Sequence, residues 1–335
     1  MLMLLQTRML AGLFVAACVL LIAWTMAHAE PAASRSDCYR VADGLSVCTQ
    51  RPPLGRGDIP VPKPPPPMDN GSSTGDRAHA QGILDASYTI SFARIPVGEI
   101  TATVVFGDSE YAISARARAG GVMKVLLVDG EGSFTTRGTI KDGHPVPTNF
   151  TSKIVSNTET SDVTMVLDEG SVKELAAASP PSQDRVPVTA ANRRSIVDPL
   201  TAVLFSTAAA GETLSQEACR RTLPIFDGHQ RYDLKLAFKR MDKVTAEKGY
   251  AGPVVVCSVS YEPIAGHRAS ILLVKYLSEG REMEMALAPI AGTRLLAPFQ
   301  LSVVSMLANL TIEANRFETT AHPLDASPSA DPKAR

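Results

Sequence analysis

From residue 83 to residue 317 apolar side chains recur at every second position, and that period leaves few folds open. Tyr88, Ile90 and Phe92 alternate with Thr89 and Ser91. Ile100, Ala102, Val104 and Phe106 alternate with Thr101, Thr103 and Val105, and Tyr111, Ile113, Ala115 and Ala117 with Ala112, Ser114, Arg116 and Arg118. Successive side chains of a strand point to opposite faces, so each run predicts a strand with one buried face. Further strands are predicted near 131–140, 148–156 and 161–168, then over Tyr232–Phe238, Val255–Tyr261, Met283–Leu287, 294–304 and 307–317. Turns are expected at Pro96-Val97-Gly98 and Gly107-Asp108. The architecture is therefore expected to be all-β, a curved antiparallel sheet forming a barrel or half-barrel, with a two-sheet sandwich as the alternative.

One or two short helices are expected across an opening of the sheet. Asp198-Pro199 supplies an N-cap and a first helical residue, Leu200, Val203 and Leu204 share a face, and Gly211 is the stop. Val122–Val128 is expected as a short amphipathic turn. Residues 178–192, with Pro180 and Pro181, read as a loop between two groups of strands.

The N-terminus carries a different pattern. Arg8 is the only ionised side chain before Glu30, Met9–Met26 is almost unbroken apolar sequence, and Ala27-His28-Ala29 has the small-x-small form of a cleavage site. Residues 1–29 are expected to be a signal peptide cleaved between Ala29 and Glu30, with the periplasm as destination. Anchorage to the inner membrane by residues 9–26 is the alternative, and a lipoprotein box at Val15-Ala16-Ala17-Cys18 ranks third. Cleavage removes Trp24, the only tryptophan, and with it any tryptophan-lined cage.

Removing Cys18 leaves four cysteines. Cys38 and Cys48 bracket Tyr39 to Val47, and a three-residue loop at Ala42-Asp43-Gly44 sets position 38 opposite 48. Cys38–Cys48 is therefore the expected staple of a hairpin over 30–48, and Cys219–Cys257 follows by elimination. No C-x-x-C occurs, and no histidine stands at ligand spacing from a cysteine, so neither a metal nor a cofactor is expected. Residues 49–82, with Pro64 to Pro67 and then Gly71-Ser72-Ser73, read as a linker, 83–317 as the main domain, and 318–335 as a disordered tail.

Charge and motifs narrow the function. The chain has 33 Lys+Arg against 34 Asp+Glu, a formal net charge of -1, which argues against nucleic acid as a partner. No nucleophile elbow, zinc-protease helix, P-loop or dinucleotide fingerprint is present. Asp227-Gly228 reads as a two-residue hairpin turn, with His229 and Arg231 following on one strand face. His267 and Arg268 follow a tight loop after Glu262. A Cys219–Cys257 bridge would bring Asp227, His229, Arg231, Glu262, His267 and Arg268 into one polar cluster, either an acid/base pair or anion cradle, or a solvated salt-bridged rim. Asp227, His229 and His267 are the catalytic candidates, and Arg231, Tyr261 and Arg268 the binding candidates. The strand faces carry Ala, Val, Leu and Met with few large aromatics. Such side chains can leave a cavity suited to an acyl chain, and they can equally fill a packed core.

Several of these segments are also familiar as an ordered set: Tyr88–Phe92 with Ile95-Pro96-Val97-Gly98, then Ile196 to Ala202, Cys219, Phe226 to Leu234, Val256-Cys257, and Tyr261 to Arg268. Over about residues 83–317 the chain resembles the exported bacterial proteins grouped as domain of unknown function 3108. That family more often has Arg where His229 or Gln230 stands. The resemblance implies a periplasmic, mostly β protein and supplies no activity. The expected function is a non-enzymatic envelope protein binding a lipid or other apolar small molecule in its curved sheet. The alternative is a structural or interaction protein whose residues 30–82 reach an envelope partner. The third is a hydrolase or lyase using His229 and His267.

Overall fold

The computed structural model describes residues 37–40, 46–49, 82–107, 109–120, 130–156, 160–177, 185–207, 213–268, 270, 272–279, 283–303 and 309–321. The expected signal segment and 122–128 turn lie outside the described residues, as do residues 50–81 of the linker and 322–335 of the tail; residues 318–321, expected in the tail, instead continue the last strand. The described residues fall in two units. The first holds a hairpin of β1 (Asp37–Arg40) and β2 (Ser46–Thr49), whose register sets Cys38 opposite Cys48. The side chains of these two cysteines, and so the expected bond between them, lie outside the described residues.

The second unit is one large sheet. A meander of β3 (Gly82–Phe92), β4 (Ile95–Phe106), β5 (Glu110–Ala119), β6 (Gly130–Lys141), β7 (His144–Ser156), β8 (Thr160–Asp168) and β9 (Ser171–Ala177) comes first. After a long connection follow β10 (Phe205–Ser206), β11 (Arg221–Phe226), β12 (Arg231–Thr245), β13 (Lys248–Gly249) and β14 (Ala251–Ala265). A short helix, α1 (Leu272–Ser278), precedes β15 (Met283–Pro289), β16 (Leu295–Val303) and β17 (Leu310–Ala321). The path across the sheet is β11-β12-β14-β15-β16-β17-β3-β4-β5-β6-β7-β8-β9, with β10 beside β16 and β13 beside β17. Every described pair is antiparallel except β13–β17. The result is a single curved, open sheet, not a two-sheet sandwich.

The alternation that predicts these strands also buries them. On β5, Tyr111, Ile113, Ala115, Ala117 and Ala119 are buried, while Ser114, Arg116 and Arg118 are exposed. The same face continues through Leu84, Ile100, Phe134, Phe150 and Met165. Each large side chain removed from water stabilises the fold by about 1.5–3 kcal/mol.

Local chemistry differs from expectation in two places. The β3–β4 turn is Ala93-Arg94, both with positive φ (51° and 66°), and not Pro96-Val97-Gly98. Pro96 and Gly98 lie inside β4, where Ile90 pairs with Gly98 and Ser91 with Pro96, so Val97 is the extra residue of a bulge. A bulge is one of the few places a strand tolerates a proline, which has no N–H for the ladder. The helix expected from Asp198 to Gly211 is a single 3-10 turn, Thr201–Val203. Leu204 turns extended, and Phe205 and Ser206 pair with Leu296 and Leu295. Strand pairing there takes the backbone groups that a longer helix would need.

The connection through residues 185–204 is the structural key. It runs as a strap between the two ends of the sheet. Ile196 N donates to Gly170 O at 2.9 Å in the β8–β9 turn. Val197 N donates to Pro224 O at 2.9 Å, and Phe226 N to Val197 O at 3.0 Å, on edge strand β11. The loop after β11 meets β8 directly, for a Cβ added at Gly228 would lie 2.5 Å from Val163 Cγ1. The two edges thus face each other across the strap without a continuous ladder between them.

Candidate functional site

Asp198 anchors the strap. It is fully buried, and its carboxylate accepts four hydrogen bonds. Oδ1 takes Leu200 N at 2.9 Å and Thr201 N at 3.0 Å, the capping role the sequence predicts. Oδ2 takes Thr201 Oγ1 at 2.5 Å and Thr136 Oγ1 at 3.1 Å. The single Thr136 hydroxyl proton is shared between Asp198 Oδ2 and Asn149 O, the latter at 2.9 Å, and Tyr111 shares a 2.6 Å hydrogen bond with Thr201 Oγ1. Burial pushes the Asp198 carboxyl above its ordinary value, and the hydrogen bonds from Thr201, Thr136 and Leu200 oppose that shift. Tyr111 of β5 and Thr136 of β6 therefore hold the strap to the meander half of the sheet, while Val197 holds it to β11.

Beneath the strap lies an apolar cavity of about 110 Å³. The strap contributes Pro199, Leu200, Ala202, Val203 and Leu204. The floor comes from Leu84, Ile100, Val104, Ile113 and Ala115 on one flank, and from Leu223, Ile225, Leu234 and Met285 on the other. Residues on β11 and on β5 line the same space, which only a strongly curved sheet allows. Among the lining side chains Tyr88 and Gln300 alone carry polar groups. The Tyr88 hydroxyl is already spent on Pro298 O at 2.8 Å, and burial pushes its pKa up. Ala102, Ala115, Ala202 and Ala297 face the cavity where larger residues would fill it.

The polar cluster forms only in part. Asp227, His229 and the 266–268 loop do meet, with a Cβ on Gly266 (φ +79°) falling 2.0 Å from His229 O. The packing leaves room for nothing but glycine there. The β11–β12 loop spans four residues, Asp227–Gln230, and not two, because Phe226 pairs with Arg231. Asp227 Oδ1 closes that loop by accepting His229 N at 2.8 Å and Gln230 N at 2.6 Å. Burial pushes the Asp227 carboxyl up and the His229 imidazole down, each partly offset by the other's charge. Burial also lowers His267, which is 9% exposed, and Arg268 is 8% exposed.

Arg231 and Glu262 are drawn away from this group. Arg231 Nη1 binds Asp233 Oδ1 at 2.5 Å, and Lys235 Nζ binds Glu262 Oε2 at 2.5 Å. Tyr261 stacks against Tyr232 with ring centroids 5.5 Å apart. The Cys219–Cys257 disulfide is present, with both cysteines fully buried. It joins the 3-10 turn Gln216–Cys219 to β14. Among the described residues no group of three or more His, Cys, Asp or Glu side chains is placed to hold a metal ion.

Sequence reasoning identified the Asp198-Pro199 cap and missed its partners. Thr136 and Tyr111 carry no local signal, because their roles depend on where the strap lands. An apolar cavity roofed by a strap and floored by a curved antiparallel sheet defines the class, a β protein with an internal apolar site. The chain belongs to the family described as protein of unknown function DUF3108, whose model matches residues 87–312. No curated protein and no solved structure matches it.

Proposed function

We propose that the protein is an exported, non-enzymatic binding protein of the cell envelope that takes an apolar chain into the cavity beneath the strap. The observation that carries this reading is the lining itself: strands from both flanks of the sheet supply apolar side chains to one space, and small residues keep it open. Sites for apolar ligands have this composition, with few polar groups that fix orientation. The cavity is slightly smaller than the ~150 Å³ apolar cavity that holds a benzene-sized guest. A longer chain therefore needs the strap to yield, and the strap rests on a few hydrogen bonds at each end and not on a ladder.

Export rests on the Arg8, Met9–Met26 and Ala27-His28-Ala29 pattern. The absence of a named catalytic motif and the structural use of Asp227 support a binding role over the hydrolase or lyase reading. Native mass spectrometry of the full chain, expressed with its own N-terminus in a bacterial periplasm, tests both parts. The expected result is a mass reporting cleavage after Ala29 and a lipid adduct that disappears on denaturation. Ala115→Phe places a ring in the cavity and is expected to weaken displacement of a fluorescent apolar probe by at least about tenfold, with the melting temperature nearly kept. A wild-type protein that takes up neither lipid nor probe overturns the binding reading.

A further inference from the structure

Arg221 lies two residues from the cavity-lining Leu223 and touches Phe205 and Ser206, which follow the lining Leu204. On β11 the residues Ile225, Leu223 and Arg221 share one face, since side chains of a strand alternate. Ile225 and Leu223 both line the cavity. Ile225 is buried, and Leu223 and Arg221 are both half-buried. The row leaves the fully buried interior at Ile225 and ends in a guanidinium.

That guanidinium carries no neutralising partner among the described residues. Its Nη2 donates to Ser206 O at 2.6 Å, and its Cζ lies 5.6 Å from the centre of the Phe205 ring. Both partners are uncharged and belong to β10, which follows the strap directly. The cationic surface residues nearby are treated differently, for Arg220 pairs with Glu217 at 3.0 Å and Lys235 with Glu262. A guanidinium has five N–H donors, and a planar pair of them matches a carboxylate. Burial lowers the Arg221 pKa, which marks the cost of holding this charge without an anion.

We infer that the ligand is an amphiphile with one apolar chain and an anionic head, the chain lying in the cavity and the head pairing with Arg221. A half-buried cation beside an otherwise apolar site gains most from an anion that arrives with its own apolar chain. The chemistry favoured is a carboxylate on a single apolar chain, because a planar guanidinium pairs with a carboxylate through two parallel N–H groups. This inference rests on the apolar-chain reading above and adds to it the sign and place of the head group.

The test uses the full chain and three probes of one chain length: dodecanoate, 1-dodecanol and dodecylammonium. Affinities are read by displacement of a fluorescent apolar probe at concentrations below micelle formation. Wild type is expected to bind dodecanoate about tenfold more tightly than dodecanol, with dodecylammonium the weakest. Arg221→Gln is expected to remove that preference and leave dodecanol binding unchanged, and Arg221→Lys to restore much of it. Unchanged dodecanol binding also shows that the variant is folded. Equal binding of dodecanoate and dodecanol by wild type, or a preference that survives in Arg221→Gln, overturns the head-group assignment and leaves the apolar-chain reading standing. Failure of all three probes to bind wild type overturns both.

Discussion

Asp198→Ala is expected to cost about 4 kcal/mol of stability. The carboxylate is fully buried and accepts from two backbone N–H groups and two hydroxyls. Alanine leaves both amides orphaned, and at least one hydroxyl proton with them. Each buried unsatisfied donor costs about 1–3 kcal/mol. Thr136 keeps Asn149 O as an acceptor, so the sum stays below the full count of four. Asp198→Asn separates shape from charge. Its carbonyl oxygen can keep both backbone amides, and its amide protons can be taken by the Thr201 and Thr136 hydroxyl oxygens. That variant is expected to lie within about 1 kcal/mol of wild type. Urea denaturation of the three proteins checks this; an alanine variant as stable as the asparagine one would remove the anchoring role.

The pair also carries a pH signature. The folded-state pKa of Asp198 lies above the ordinary value of 3.8, because burial disfavours the charge more than the hydrogen bonds favour it. Such a group binds its proton more tightly in the folded state than in the unfolded one. Its ionisation therefore costs stability, beginning as pH rises past 3.8 and complete once pH exceeds the raised folded value. Wild type is expected to lose stability relative to Asp198→Asn across that window and to run parallel to it above. A difference that grows in the opposite direction would mean that the four donors outweigh burial.

The second large effect concerns the Cys219–Cys257 bridge. It closes a loop of sequence separation 38, and loop-closure entropy for that length is worth about 4 kcal/mol. The double variant Cys219→Ala/Cys257→Ala is expected to fall in stability by about 3–4 kcal/mol. Both sulfurs are buried in the core, so a thiol reductant is expected to reach the bridge in wild type only through unfolding. Equal reduction rates in native buffer and in denaturant would contradict this. The 3-10 turn at Gln216–Cys219 and the start of β11 belong to the half of the molecule that carries Arg221, and the bridge keeps that half registered against β14.

The fold was legible wherever one face of a strand is buried and the other wet. Tyr111 to Arg118 shows this most clearly, with every inward residue apolar and every strongly polar residue outward. β9 was not legible, because Ser171–Ala177 is an edge strand with no fully buried residue and so no alternation to read. α1 was missed for a related reason, since seven residues give too little of a 3.6-residue period to stand out from strand patterning. The Ala93-Arg94 turn defeats composition rules, which reserve paired positive φ values for Gly, Asn and Asp. The Asp198 cap was visible because it is local, and the cavity was visible only as a choice between packing and space. Whether small apolar residues leave a hole depends on the curvature of the sheet and on where the strap lies, and both are long-range outcomes. Arg221 carried no sequence signal, since its meaning lies in the company it keeps across β10.

β17 has a position that bears on the order in which this molecule can assemble. It is the last described strand in the chain, yet it sits in the middle of the sheet, paired on one side with β16 and on the other with β3, the first strand of the meander. Gly82 and Ala321 are register partners, so the sheet begins and ends at one point. The hairpins β3 to β9 can form as the chain emerges, because each pairs with its neighbour in sequence. The join between β17 and β3 closes the whole length of the large sheet, Gly82 to Ala321, into a loop and has to await β17. Ile312 of β17 lines the cavity, and β17 links the two flanks that face each other across it. The cavity is thus completed only when β17 is in place, and a chain cut short before Leu310 would lack the strand that joins its two flanks.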